Sequence, residues 1–178
     1  NNIHKITSIN QDLSCASDYP PIWEKLIKNN IDVGLFGPLQ SYPPIKHDLI
    51  RFYLPDTFAP TPKAIPKELT YFQKFNLYLS NKNKAIPGKI DIKSFIYFLE
   101  FILKHRLSVN TFFQIFSQIT NEFINHINKS RRPFLQPIIG FDVYKKLITK
   151  YKPSYTSFFT NHVAGVMHKY WKYLFLNK

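Results

Sequence analysis

The chain has 178 residues, a formal net charge of +13 and a hydrophobic fraction of 44%. This length allows one domain with its own core, or a core with an extended arm, and the apolar content excludes a chain that is disordered throughout. The single cysteine, Cys15, excludes an internal disulfide and metal sites built from several cysteines. No apolar run reaches the roughly 18 residues that a membrane-spanning helix needs, so we expect no membrane span.

The positive charge is concentrated toward the carboxyl end of the sequence. From Lys129 onward, ten Lys and Arg residues accompany a single acid, Asp142. Such an excess of cations favours an acidic partner surface, nucleic acid or anionic lipid. The joint abundance of Lys, Asn and Ile gives a second interpretation, a compositional bias of the coding sequence, and both interpretations stay open.

The first predicted element is a short helix. Ile22, Trp23, Leu26 and Ile27 recur at helical spacing after two prolines, which predicts a helix over residues 21–28.

A turn-rich segment comes next, which reads IDVGLFGPLQSYPPIKHDL. Its alternating apolar start predicts a short strand or extended segment that ends in a turn at Gly37-Pro38. A phosphate loop would need four residues between its glycines, and Pro38 has no N–H to offer an anion, so we expect no phosphate site. Glycine permits the turn and proline stiffens the backbone after it, so we predict a rigid elbow.

Residues 47–54, HDLIRFYL, are predicted as a helix that stops at Pro55. The four prolines from Pro55 to Pro66 predict a stiff, extended connector without helix or sheet. The next stretch, KELTYFQKFNLYL, is compatible with a helix or an arm. We divide the chain into an amino-terminal arm with the elbow at 1–54, a connector or insert at 55–90, and an aromatic helical region at 91–178.

The strongest helical periodicity begins at Asp91, a candidate N-cap. Two apolar faces predict helices at 92–107 and 110–128, or one long kinked helix, and helical patterns return in DVYKKLITKY and in TSFFTNHVAGVMHKYWKYLFL. We therefore predict a mainly α fold with extended Pro-rich connectors, little β structure and a non-globular architecture that depends on partners. The first face contains Ile92, Phe95, Ile96, Leu99, Ile102 and Leu103, and the second contains Phe112, Phe113, Phe116, Ile119, Phe123 and Ile127.

No group of residues in the sequence predicts catalysis or metal binding. The six histidines are scattered, and Glu122 and His126 share a helical face without forming a complete ligand set. No pair of carboxylates stands at a spacing typical of acid–base catalysis. We expect no enzyme activity, no cofactor and no metal.

Two basic stretches leave alternatives open. The run Lys104-His105-Arg106 fits a solvated stripe near a helix C-terminus, or an Arg106 that docks on an acidic partner. The loop NKSRRPFLQP carries three cations beside Phe134, which is compatible with nucleic-acid binding, although its prolines favour a connector between helices. A basic nucleic-acid-binding helical module is therefore our alternative function.

Two blocks of the sequence resemble the TssG family (also called ImpH or VasB), baseplate components of bacterial type VI secretion systems. Residues 34–38, Gly-Leu-Phe-Gly-Pro, match a motif of that family, although residues 39–44 replace its usual Asn-Gly-Pro-Leu-Pro. Residues 98–101 and 105–108 resemble the later family motif Phe-Leu-Asp-x-Phe-x-His-Arg-Leu-x-Ser. The resemblance covers about residues 19–170. The insert at 55–90 is longer and richer in proline than expected, and the further C-terminal region of the family has no counterpart here.

The resemblance implies a structural role. TssG-like proteins join two TssF-like subunits and one TssE-like subunit into a wedge, six wedges surround the central spike, and a TssK-like adaptor links the wedge to the membrane complex. It also implies a cytoplasmic location, at a baseplate assembled on the inner membrane, and no small-molecule substrate. We accordingly expect a partner interface at Gly34, Leu35, Phe36, Gly37, Pro38, Phe95, Phe98, Leu99, Phe101, Ile102, Arg106, Phe112, Phe113 and Phe116.

Overall fold

The structure, a computed structural model, describes residues 19–82, 96–97, 99–102 and 107–171. Within these ranges, three parallel strands form one sheet in the order β2-β1-β3. Residues 96–97 and 99–102 are also helical. The strands are β1 (Val33–Phe36), β2 (Ile50–Leu54) and β3 (Tyr155–Phe158); the helices are α1 (Ile22–Lys28), α2 (Leu69–Lys82), α3 (Val109–Ile124), α4 (Leu135–Tyr151), α5 (His162–Tyr170) and the 3-10 helix η1 (His126–Phe134).

The central strand, β1, is covered on both faces. All four of its residues are buried, and a parallel strand covered on both sides is typically an unbroken apolar run such as VGLF. Successive side chains of a strand point to opposite faces. Val33 and Leu35 accordingly pack in one hydrophobic cluster and Phe36 in another. The predicted strand is thereby confirmed.

The prediction of a helix at 47–54 is wrong, because this segment contains β2. Five residues, IRFYL, lie between a turn and Pro55, and only Arg51 among them is exposed. A short run of aromatic and β-branched residues bounded by turn signals is typical of a buried strand, whereas a helix needs a longer segment.

Among the described residues, the helical interpretation of the segment that begins at Thr156 is correct only for His162–Tyr170. Tyr155–Phe158 forms β3, which pairs in parallel with β1, and α5 begins after it. The partner of Tyr155 in this ladder is Val33, more than a hundred positions earlier in the chain, so a local pattern does not reveal the pairing.

Asp32 joins the beginnings of all three strands. Its carboxylate accepts a hydrogen bond from Arg51 Nε at 2.8 Å, next to the start of β2. It also accepts hydrogen bonds from the backbone N–H of Ser154, at 3.3 Å, and from the Ser154 hydroxyl, just before β3. These contacts hold the pKa of Asp32 at about 2, first through the Ser154 hydroxyl and then through Arg51.

The sequence prediction places α1 and α3 correctly. α1 occupies the predicted range 21–28 except for its first residue, Pro21. α3 begins after Ser108, whose side chain accepts a hydrogen bond from the Thr111 N–H and so caps the helix. It ends at Asn125, where the backbone is extended, and the predicted remainder of this helix is the start of η1.

The Pro-rich connector after β2 contains no helix, as the sequence predicts, and it lies along the outer edge of that strand. Tyr53 and Ile65 exchange two backbone hydrogen bonds, at 2.6 Å and 2.8 Å. These bonds satisfy backbone groups of β2 that would otherwise form an open sheet edge.

Two hydrophobic clusters cover the two faces of the sheet. The smaller cluster places the sheet against α1, with Trp23 and Leu26 packed on Val33 and Tyr53. The larger cluster lies on the opposite face and contains Phe36, Phe52, Leu54, Leu69, Phe72, Phe101, Ile115, Ile139, Val143, Tyr144 and Leu147.

Helices dominate the described residues, but the central sheet makes the architecture mixed α/β. The two clusters also show that these residues enclose a core of their own. β1 comes from the predicted arm and β3 from the predicted helical region, so both segments build one sheet. None of the described helices is long and apolar enough to cross a membrane.

Candidate interaction surface

The Gly-Pro elbow lies at the carboxyl end of β1 and is packed inside the chain. The ring of Phe52, on the neighbouring strand, approaches Gly34 so closely that a β carbon there would lie 2.4 Å from it. Gly37 has a φ of +76°, a region that favours glycine, and its N–H donates to the Leu54 carbonyl at 2.8 Å. Gly34 therefore permits close packing within the sheet, and Gly37 permits the turn at the end of β1.

A buried polar network holds the elbow against the end of β2. The hydroxyl of Tyr53 donates to the Ser41 carbonyl at 2.7 Å, and burial raises the pKa of Tyr53 to about 12. The Ser41 N–H donates to the Asp56 carboxylate at 3.3 Å, while the Asp56 N–H donates to the Ser41 hydroxyl at 3.2 Å. The elbow is thus fixed within this chain.

This packing locates the first five of the fourteen residues expected at a partner interface. Leu35 and Phe36 are buried in the two hydrophobic clusters, Gly34 is buried beside Phe52, and Gly37 and Pro38 are half-buried. The close packing of β1 and its turn therefore explains the Gly-Leu-Phe-Gly-Pro sequence of these residues without a partner.

The described residues among the other nine are divided between core and surface. Phe101 is buried, with its ring centroid 5.2 Å from that of Phe72, and Ile102 packs partly buried against the same cluster. Leu99 is 41% exposed. Phe95, Phe98 and Arg106 lie outside the described residues, as do the basic neighbours of Arg106.

Helix α3 carries the main exposed apolar surface among the expected residues. Phe112, Phe113 and Phe116 are all exposed, and Phe116 keeps 62% of its surface open. A neighbouring side of the helix, with Thr111, Ile115 and Glu122, is buried. We name as the aromatic stripe the exposed residues Val109, Phe112, Phe116, Ile119 and Phe123, which succeed one another along one side of α3.

The aromatic stripe carries no charge. α3 contains no Lys or Arg, and its one acid, Glu122, is buried and accepts a hydrogen bond from Gln118 Nε2 at 3.0 Å. The central part of a protein–protein interface is typically rich in aromatic residues and poor in charge. The aromatic stripe has this composition, although the chain as a whole is basic.

A groove runs along the other side of α3, between that helix, η1 and α4. It has a volume of about 530 Å³ and is open to solvent. Gln118, one of the residues that line the groove, donates through Nε2 to the Asn128 carbonyl at 2.8 Å, which ties α3 to η1. No pattern in the sequence indicates this groove, whose lining residues are Phe113, Gln114, Ser117, Gln118, Asn121, Arg131, Phe134, Leu135 and Ile138.

The basic loop around Phe134 is more regular than predicted. Residues 126–134 form η1, and α4 begins directly after it, with Pro137 in its first turn, where a helix leaves backbone N–H groups without internal partners.

The described residues contain no group of three His, Cys, Asp or Glu that could hold a metal ion. His162 is half-buried and packs against the ring of Phe134 at 5.7 Å, and this burial lowers the pKa of His162. His126 is exposed on η1 while Glu122 is buried on α3, so their helical spacing does not produce a shared site.

No protein-family model matches the chain, and neither a curated protein nor a solved structure matches it.

Proposed function

We propose that this chain is a structural subunit of a type VI secretion baseplate wedge, which joins TssF-like and TssE-like subunits and has no catalytic role. The observation that carries the structural part of this proposal is the uncharged aromatic stripe on α3. Phe112, Phe116 and Phe123 are exposed, and contiguous exposed apolar patches mark sites of interaction. The wedge assignment is supported by the two sequence blocks that resemble TssG.

The exposed side chains favour a permanent rather than a transient partner. Three phenylalanines on one helix would each bury an area of about 150–250 Å² if covered fully, which is a large apolar contribution from one element. Obligate interfaces resemble a domain core in composition. A subunit that is always part of an assembly can leave such a surface exposed in its own fold, because a partner subunit covers it.

The nucleic-acid alternative has less support in the arrangement of side chains. Single-stranded nucleic acid is held where aromatic rings and cations share one platform. Here the aromatic stripe lies on a helix without Lys or Arg. The exposed cations Lys129 and Arg131 belong to η1, and Arg131 lines the groove on the other side of α3.

Co-expression with the TssF-like and TssE-like proteins of the same genome tests the proposal. Size-exclusion chromatography of the wild-type chain should give a stable complex. The double variant Phe116→Ser, Phe123→Ser should lose it. Phe58→Ser is the matched control, because Phe58 is 68% exposed but lies in the Pro-rich connector. A wild-type chain that stays monomeric beside these partners would refute the wedge assignment.

A further inference from the structure

The sheet is closed at one edge and open at the other among the described residues. The Pro-rich connector bonds to the backbone of β2 and closes the outer edge of that strand. On the other side of the sheet, β3 bonds to β1 through the N–H groups of Tyr155 and Phe159. The backbone groups of Thr156 and Phe158 point to the outer edge, and within the described residues they have no hydrogen-bond partner.

The composition of β3 does not protect this open edge. Proteins commonly block such an edge with Lys, Pro or a bulge. β3 reads YTSF, without charge or proline, and it pairs with β1 in an unbroken register. Unpaired N–H and C=O groups at every second residue match the backbone of another extended chain, which can bind by adding a strand. The chemistry of the edge therefore selects an extended polypeptide as its occupant.

Helix α4 provides side-chain specificity beside this edge. Phe141 is 48% exposed, and its ring contacts that of Phe158 with the centroids 5.4 Å apart. The later residue Tyr144 also reaches the hydroxyl of Thr156, at 3.2 Å, so α4 and β3 run in opposite directions. Lys145 is exposed one turn beyond Phe141 on the same side of the helix. The two lie about 6 Å apart along the axis, close to the spacing of alternate residues in a strand.

The charge beside the edge limits the identity of the occupant. Lys145 forms no ion pair with the described residues, so an acidic side chain of the added strand is complementary to it. A second copy of this chain that paired edge to edge would bring Thr156 and Phe158 to the same side, and neither is acidic. Two copies, each with a net charge of +13, also repel one another. The edge therefore favours a different protein.

We infer that the open edge of β3 binds an extended segment of a partner subunit, which adds a strand to the sheet. The segment places an apolar residue on Phe141 and, two positions away, an acidic residue beside Lys145. It has no proline at the positions whose N–H groups face β3. This inference rests on the proposed assembly role and adds a second contact, apart from the aromatic stripe.

Hydrogen exchange of the full chain, resolved to single amides, tests this inference. The chain is compared alone and in complex with the TssF-like and TssE-like proteins. The amides of Thr156 and Phe158 should exchange rapidly in the isolated chain and about 100-fold more slowly in the complex, because the added strand accepts their hydrogen bonds. The Phe159 amide is the internal reference, since it donates to the Phe36 carbonyl at 2.9 Å and should exchange slowly in both states.

The outcomes separate the inference from the proposed function. If the complex forms and the amides of Thr156 and Phe158 exchange equally fast in both states, the inference is wrong and the assembly role stands. Slow exchange in the isolated chain also overturns the inference: it means that the chain covers its own edge or, where protection grows with concentration, that a second copy does. If no complex forms with the TssF-like and TssE-like proteins, both are wrong.

Charge reversal on α4 gives a second measurement. Lys145→Glu should weaken the complex about 3–10-fold at low salt and less at high salt, because it places a negative charge beside the acidic residue of the added strand. Lys150→Glu is the matched control, since Lys150 is also exposed on α4 but lies about 140° around the helix from Lys145. Equal effects of the two changes would contradict an acidic residue at this edge.

Discussion

The ring of Phe52 occupies the space that a side chain on Gly34 would need. A β carbon built on Gly34 would lie 2.4 Å from two carbons of that ring, which is far closer than non-bonded carbons approach. Phe52 is fully buried, and its register partner on β1 is Gly34 itself. The glycine of the family-like motif therefore permits a large aromatic residue on β2 to cross the central strand.

Gly34→Ala should destabilise the fold. The added methyl group must displace the buried Phe52 ring, and overpacking of this kind costs about 1–3 kcal/mol. Urea denaturation followed by circular dichroism measures the change. Gly165→Ala is the matched control, because a β carbon there meets nothing within 4 Å on α5, and it should stabilise by up to about 1 kcal/mol.

A double variant distinguishes this collision from a general intolerance of alanine in β1. Phe52→Leu shortens the side chain that Gly34 accommodates. Gly34→Ala combined with Phe52→Leu should therefore be more stable than the sum of the two single changes predicts. Strict additivity would mean that the two residues do not compete for the same space.

Tyr53→Phe should lower the free energy of unfolding by about 1 kcal/mol. The substitution removes the buried hydroxyl that donates to the Ser41 carbonyl and leaves that carbonyl without this donor. Tyr155→Phe is the control, since its hydroxyl has no hydrogen-bond partner among the described residues, and its effect should stay within about 0.5 kcal/mol. Equal effects in the two variants would show that the Tyr53 hydroxyl does not hold the elbow.

The stability of the chain should depend on pH through Asp32. Its folded-state pKa is about 2, below the ordinary value of 3.8, because Ser154 and Arg51 stabilise the carboxylate. A depressed pKa means that the unfolded state takes up the proton first as the pH falls. The contribution of Asp32 is therefore present above about pH 4 and is lost progressively as the pH falls toward 2.

Denaturation midpoints measured from pH 6 to pH 2 check this dependence. Asp32→Asn should be less stable than the wild-type chain at pH 6, and the difference should shrink as the pH falls through the range from 4 to 2. Asp48→Asn is the control, because Asp48 is exposed in the turn before β2. A constant difference between Asp32→Asn and wild type across this range would contradict the role of the carboxylate.

Phenylalanines of the stripe and of the core should respond differently to truncation. Phe123 is 81% exposed, so Phe123→Ser should change the free energy of unfolding by no more than about 0.5 kcal/mol. Phe72 is buried between Phe36 and Phe101, and Phe72→Ala should cost about 3–5 kcal/mol. A large loss of stability in Phe123→Ser would mean that this side chain belongs to the fold of the isolated chain.

The sequence predicts those elements that one local pattern defines. The spacing of apolar residues predicts α1 and α3. An alternating apolar segment that meets a Gly-Pro turn predicts β1. In each case the residues that determine the structure are neighbours in the chain.

The sheet could not be predicted in the same way. β2 and β3 are short, and their apolar residues fit a helix as well as a strand until their partner is known. That partner, β1, is distant in sequence from β3, and no turn joins the two strands.

Local sequence patterns also could not predict which of the expected interface residues are exposed. An aromatic residue in a helical pattern indicates burial, but not whether the burial occurs within the chain or against a partner. Phe101 is covered by the chain itself, whereas Phe112 and Phe116 remain exposed.

Side-chain footprinting of the stripe tests the central claim most directly. Hydroxyl-radical oxidation would be compared between the isolated chain and the chain in complex with the TssF-like and TssE-like proteins, with Phe58 as the internal reference. We predict that Phe112, Phe116 and Phe123 are oxidised readily in the isolated chain and are protected in the complex, while Phe58 is unchanged. Equal oxidation of the three stripe residues in both states would contradict the claim that α3 is the interface of this subunit.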